Sequence, residues 1–251
     1  VGKGKIREGG ALYRSIRKFE TDVLPRLDGL VFVSDFMRRE VMARMPATMH
    51  VPYRIVPNFL PDPGLRSESA KPEIDLVCIG TLEPRKNQRY ALEIIAEACR
   101  LGQALHLTIV GDGPDRAMLE KYASATNIEK QVRFIGFVSD AAALMPAHRA
   151  CLHVSRMESF GIVLIEAMAR GLPVFAPAAG GMPEVFDDGV EGRLIPLDDA
   201  LSAARVILEW LGNEKLLLAS CAAARHRFLE CYEADRVASE LASFLDQVAI
   251  A

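Results

Sequence analysis

ACLHVSRMESFGIVLIEAMARGLPVFAP, residues 150–177, contains an apolar run, a polar loop, a run of helix formers and a second apolar run. ACLHVS (150–155) and PVFAP (173–177) read as buried strands, each a short apolar segment bounded by turn or polar residues. Between them the sequence predicts a helix from near Gly161 to Gly171, with Ser159 placed to cap its start and Gly171 to end it. The same rhythm extends on both sides. DLVCIG (75–80), HLTIVG (106–111) and VRFIG (132–136) read as strands, each followed by a helix, near 88–101, 115–125 and 139–147. A short helix near 181–187 follows PVFAP, GRLIP (192–196) precedes a helix from about 198, and helices over 214–231 and 234–249 close the chain. Apolar strands alternating with helices predict an α/β fold: a Rossmann-like parallel sheet with helices on both faces. Ligands in such sheets bind beyond the carboxyl ends of the strands, here the loops starting at Gly80, Gly111, Gly136 and Ser155.

Upstream the pattern is less regular. Residues 11–26 read as an amphipathic helix carrying Arg14, Arg17 and Lys18. GLVFVS (29–34) is a short strand, and DFMRREVMARM a helix after it. Residues 53–73 hold Pro57, Pro61, Pro63 and Pro72 and read as a linker, because proline interrupts both helix and sheet. Half of the 251 residues are hydrophobic and a quarter charged, enough for a sizeable core. A net charge of −3 gives no nucleic-acid signal. The five cysteines form no CxxC and read as reduced thiols in a cytosolic compartment. No run is long and apolar enough for a membrane span, and no secretory leader is expected. The chain begins with Val1 and is read as a fragment or a processed product.

Glu158 and Glu166 carry the chemistry of the 150–177 stretch. Glu158 falls in the loop ahead of the helix and Glu166 inside it, their carboxylates roughly 10–12 Å apart along the axis. That is about the reach of a nucleotide sugar from hexose to ribose. The helix N-terminus between them offers free N–H groups and a positive dipole end to a diphosphate. The plain alternative is two solvated glutamates. In GTLEPRKN (80–87), Gly80 allows close backbone approach, and Arg85 and Lys86 are adjacent cations suited to phosphate oxygens, or a solvated basic pair. VGDGPD (110–115), IGFVSD (135–140) and AAGGMPEV (178–185) add further loops, the last lying against the same ligand or forming a simple turn.

Taken in order, GTLEPRKN, VGDGP, FIGFVSD, ESFGIVLIEAMARGLPV and GGMPEVFDDGVEGRLIP resemble the carboxyl-terminal, donor-binding domain of retaining GT-B glycosyltransferases of family 4, over about 74–250. LDGLVFVSDFMRREV resembles the end of the amino-terminal Rossmann-like domain, and IVPNFLPDP the linker, with Asn58 at the family's asparagine. The resemblance implies a remnant of the acceptor domain over 1–52, a linker over 53–73 and a nucleotide-sugar domain over 74–251. It implies that Glu158 contacts the transferred sugar near the reacting carbon and Glu166 holds the ribose hydroxyls. Lys86 would bind the diphosphate. The backbone around Ser159, Phe160 and Gly161 would meet sugar hydroxyls or diphosphate. Gly136, Phe137 and Val138 would border the base. Many members carry a basic residue directly after the glycine; here it is Thr81, and Arg85 is expected to substitute in part.

The implied reaction moves a hexose from a nucleotide-diphosphate sugar to a glycan or lipid-linked acceptor with retention, without a metal or other cofactor. The implied location is cytoplasmic, with peripheral contact at the inner face of a membrane through helix 11–26 as one option and a solvated face as the other. An acceptor domain of well over about 100 residues would be expected ahead of the linker. Its glycine-rich loop and histidine have no match here: EGG at 8–10 reads as a loose terminus, His153 as a core or surface residue, and His148 and His226 as helix surface. Two rivals follow: a module that binds nucleotide sugar without turnover, and a GT-B epimerase, which would need no acceptor.

Overall fold

A computed structural model describes residues 10–64, 72 and 74–249 of the chain. Two compact units form, Val1–Val56 with Ala238–Ala251, and Pro57–Val237. In the first, helix α1 (Ala11–Val23) leads through a 3-10 turn to strand β1 (Leu30–Phe32), helix α2 (Asp35–Arg44) and strand β2 (Tyr53–Ile55). Ser34 caps α2 by accepting from the Met37 N–H at 3.2 Å. Leu30, Phe32 and Val51 form a small core with Leu24, Met37, Val41 and Met42. β2 lies parallel to β1, with Leu30 opposite Tyr53 and Phe32 opposite Ile55. The linker expected over 53–73 therefore begins with a strand. Pro52 and Pro57 flank it and hide it, since proline in a sequence normally marks the end of sheet structure. Residues 65–71 and 73 of that linker, and Glu8 and Gly9 of the EGG stretch, lie outside the described residues.

The second unit holds strands β3 (Ile74–Ile79), β4 (Leu107–Val110), β5 (Val132–Gly136), β6 (His148–Leu152), β7 (Val174–Pro177) and β8 (Gly192–Ile195). Helices α3 (Gln88–Arg100), α4 (Arg116–Ala125), α5 (Ile162–Ala169), α6 (Ala200–Gly212) and α7 (Glu214–Cys231) connect or follow them. The sheet order is β5-β4-β3-β6-β7-β8, with every pair parallel. This is the doubly wound order, in which the winding direction reverses between the first strand and the fourth, here β3 and β6. Leu76, Leu107, Ile109, Leu152 and Phe175 pack in one cluster with α3 and α6. The alternate positions, such as Val77, Cys151 and Val174, are also buried and face the other side. In α3 the buried Ala91, Ile94, Ile95 and Ala98 repeat at three- and four-residue spacing, which turns one stripe of the helix onto the sheet.

α8 (Ala234–Ala249) begins in the second unit, and from Ala238 onward it belongs to the first. There a Cβ on Gly29 would stand 3.0 Å from the Phe244 ring and 3.1 Å from Val248. The single carboxyl-terminal domain expected over 74–251 thus ends earlier in space than in sequence. His148, expected on a helix surface, opens β6 and is 4% exposed. Its Nε2 lies 2.8 Å from Thr108 Oγ1 and its Nδ1 2.9 Å from the Leu144 carbonyl, so it joins β6 to β4 across the sheet.

Candidate functional site

The reversal between β3 and β6 places two loops side by side at the carboxyl edge of the sheet. From β3 the chain runs through Gly80 and Thr81 to Arg85 and Lys86. Asn87 then takes a left-handed conformation (φ 57), and α3 starts at Gln88. From β6 it runs through His153 and Ser155 to Glu158. The loops are tied together: the Arg156 N–H and the Ser155 hydroxyl both donate to the Arg85 carbonyl, at 3.0 and 3.2 Å.

Their side chains converge on Glu158. Lys86 Nζ lies 2.6 Å from Oε1, with both side chains largely buried. Arg85 Nη1 donates to Oε2 at 3.2 Å and to the Met157 carbonyl at 3.3 Å, and its Nη2 meets Glu83 Oε1 at 3.1 Å. His153 Nε2 approaches Oε1 to 3.3 Å. Burial alone would raise the Glu158 carboxyl. The contacts from His153, Lys86 and Ser155, together with the Lys86 charge, outweigh it and hold the group well below the usual carboxylate range. Glu158 is therefore a fixed anion. Its backbone is seated as firmly: its carbonyl accepts from the Gly181 N–H at 2.9 Å, and Gly180 (φ 62) passes so close that a Cβ there would fall 2.1 Å from that carbonyl. The two glycines of AAGGMPEV thus press on Glu158 itself.

α5 starts directly beyond. Its N-cap is Gly161 (φ 105), with no side-chain cap, so the cap expected from Ser159 is not the one used. A left-handed turn at glycine brings the chain into the helix with no side chain at the N-cap position itself. The helix start borders a hollow of about 210 Å³, lined by Asn58, Lys86, His153 and Glu158 and by residues 159–163. Phe160 is buried against Tyr232, ring centroids 5.8 Å apart, which fixes the turn from behind.

A second hollow, about 170 Å³, opens beside β3, β4 and β5, lined by Gly80, Thr81, Gly111, Phe137 and Val138 among others. Gly80 and Gly111 bring two strand ends together: a Cβ on Gly111 would meet the Gly80 carbonyl at 2.0 Å. Gly136 (φ 85) turns the chain out of β5, and Phe137 stands 80% exposed at the rim. Glu166 lies on α5 and feels the charge of Asp140, just past this rim. Its carboxyl is raised, chiefly by burial, which outweighs the lowering by Arg170, with a smaller push upward from Asp140. The larger hollows of the unit, about 470 and 550 Å³, lie elsewhere, around Arg170, Leu218 and Cys221. Neither holds Glu158 or Glu166.

The structure therefore collects Lys86, Glu158, Ser159, Phe160 and Gly161 at one hollow and Gly80, Phe137 and Val138 at the other, with Gly136 behind the second. His153, expected as a core or surface residue, is buried, and the neighbour that the sequence did not indicate is Glu158. One signal could have marked His153: a polar residue at the carboxyl end of an otherwise apolar strand, where such sheets bind ligands.

The family model for glycosyl transferases group 1 matches residues 66–227. A GDP-mannose-dependent alpha-(1-6)-phosphatidylinositol monomannoside mannosyltransferase of Mycobacterium tuberculosis is 31% identical over 238 residues, covering 87% of this chain and 61% of that protein. An N-acetyl-alpha-D-glucosaminyl L-malate synthase of Bacillus anthracis is 33% identical over 134 residues, 53% of this chain and 35% of that protein. The chain thus spans about three fifths or less of the length of these relatives. Among solved structures, Anabaena HepE with UDP and glucose superposes with a TM-score of 0.80 at 19% identity, over 95% of this chain and 68% of that one. Staphylococcus aureus TarM, with UDP in the crystal, gives 0.81 at 20% identity, over 97% and 48%. The fold is that of the GT-B glycosyltransferases, and by the family match across both carboxylates and both loops of the switch point, this chain belongs to the group 1 glycosyl transferases.

Proposed function

We propose that the chain carries the donor side of a retaining hexosyltransferase, which moves a hexose from a nucleotide-diphosphate sugar to a glycan or lipid-linked acceptor. The observation that carries this reading is the meeting of Lys86 and Glu158 at 2.6 Å, at the mouth of α5 and at the sheet's switch point. Cleaving the sugar–phosphate bond puts negative charge on the leaving diphosphate and positive charge on the anomeric carbon. Lys86, Arg85 and the α5 N-terminus are disposed to stabilise the first, and the fixed Glu158 anion to stabilise the second and to accept from sugar hydroxyls. This scheme uses no metal. Glu166 would accept from the ribose hydroxyls, and the hollow at Phe137 and Val138 would take the base.

A second reading is binding without turnover. The unit Pro57–Val237 holds every candidate residue named above, which supports this reading. No described helix is long and apolar enough to cross a membrane.

Calorimetric titration with UDP and GDP, followed by their sugar conjugates, tests the reading. Saturable binding of one nucleotide is expected, weakened in Lys86→Ala by about 1.5–3 kcal/mol, as for a lost charged hydrogen bond. A folded chain that binds neither would overturn it. Sugar transfer in the presence of an acceptor separates the enzyme from the binding module, and product formed without acceptor would favour the epimerase.

A further inference from the structure

His153 is 2% exposed, and its backbone N–H is locked to the Phe175 carbonyl at 2.8 Å, so the ring has little freedom. Its Nε2 faces Glu158 Oε1 at 3.3 Å, close enough to help hold that carboxylate down but poorly directed for a full hydrogen bond, and no other described group completes one. A buried ring nitrogen left without a directed partner is costly, and native structures rarely keep one. This nitrogen lies beside the 210 Å³ hollow that Lys86, Glu158 and the α5 N-terminus share. The hollow therefore holds cations and N–H groups suited to a diphosphate and, on its β6 wall, one carboxylate oxygen beside one under-used imidazole nitrogen. A hydroxyl both donates and accepts. One hydroxyl set between Oε1 and Nε2 has both needs met, and supplies the partner that His153 lacks.

We propose that His153 is a specificity-determining residue for the transferred sugar. The ring carries its proton on Nε2 and donates to the same hydroxyl from which Glu158 accepts, while Lys86 turns to the diphosphate. This rests on the donor-site reading above. It distinguishes sugars by whether a hydroxyl stands at that point, and it leaves the nucleotide end of the ligand untouched.

The chain, His153→Leu and His153→Gln are titrated with UDP, GDP, UDP-glucose and GDP-mannose, with melting followed for each. His153→Leu should lose about tenfold in affinity for the preferred nucleotide sugar while binding of the bare nucleoside diphosphate stays within about twofold. His153→Gln, which keeps an N–H donor, should recover most of the loss. A residue that merely seats Glu158 would change both affinities together. Parallel losses, or none, would overturn the proposal, as would a wild-type chain that binds nucleoside diphosphate and gains nothing from the sugar. Binding of no nucleotide at all would instead sink the donor-site reading beneath it. If a variant fails to fold, the ring resonances of the unaltered chain decide: the His153 Nε2 signal should move on adding the nucleotide sugar and stay on adding the nucleoside diphosphate. The same shift with both ligands would count against it.

Discussion

Glu158 and Glu166 are the same residue eight positions apart, and their surroundings push them in opposite directions. Glu158 sits under Lys86, Arg85 and His153, and its carboxyl is held down. Glu166 is partly buried on α5, with Asp140 near and only Arg170 to offset it, and its carboxyl is pushed up. On the proposed reading, the difference separates two ways of preparing an acceptor. Glu158 is charged and immobilised before any ligand arrives, as suits a group that must face developing positive charge. Glu166 is left short of partners, so neutral donors such as paired hydroxyls are what it gains most from.

The largest effect should come from unseating Glu158 while Glu166 is left alone. Gly180→Ala puts a methyl 2.1 Å from the Glu158 carbonyl and forces alanine into a left-handed conformation. A loss above about 3 kcal/mol is expected in urea unfolding. A loss below about 1 kcal/mol would show that the loop yields, and that Glu158 is less fixed than its contacts imply. Next, Glu166→Ala should weaken nucleotide binding by about 1–3 kcal/mol, as for a lost buried hydrogen-bonding carboxylate. Unchanged affinity in calorimetry would remove the ribose role and with it half of the comparison.

The smallest effect sharpens the contrast through pH. Because the folded value of Glu158 is depressed, its ionisation stabilises the fold above the ordinary glutamate range, and this is lost as pH falls through the folded value. Glu166 has the opposite sign: its raised value costs stability at neutral pH, and the cost fades as pH falls below the ordinary range. Melting curves of Glu158→Gln and Glu166→Gln against the parent should therefore diverge at pH 7, the first less stable and the second more. Both differences should shrink toward pH 3. Two differences of the same sign would mean that the carboxylates are not in contrasting environments.

The sheet was legible because β3, β4, β6 and β7 are short apolar runs at regular spacing, and burial on both faces leaves them no other reading. Glu158, Lys86 and Glu166 were legible because strand ends and a helix start position them through local sequence. What escaped depends on contacts distant in sequence. β2 is defined by its pairing with β1, not by its own composition. His148 is buried because Thr108, forty residues earlier, receives its ring. The start of α5 uses backbone freedom at Gly161, while the nearby Ser159 offered the more familiar cap. His153 reads as one more strand residue until the fold brings its ring to Glu158.

The assignment of Ala238–Ala251 to the same unit as Val1–Val56 has a consequence for the order of events on the ribosome. Pro57–Val237 is a continuous stretch and can close its sheet as soon as it has emerged. Gly29 must wait for Phe244 and Val248, which are made more than two hundred residues later. The stretch around Gly29 is thus made before the sheet of Pro57–Val237 but completed after it.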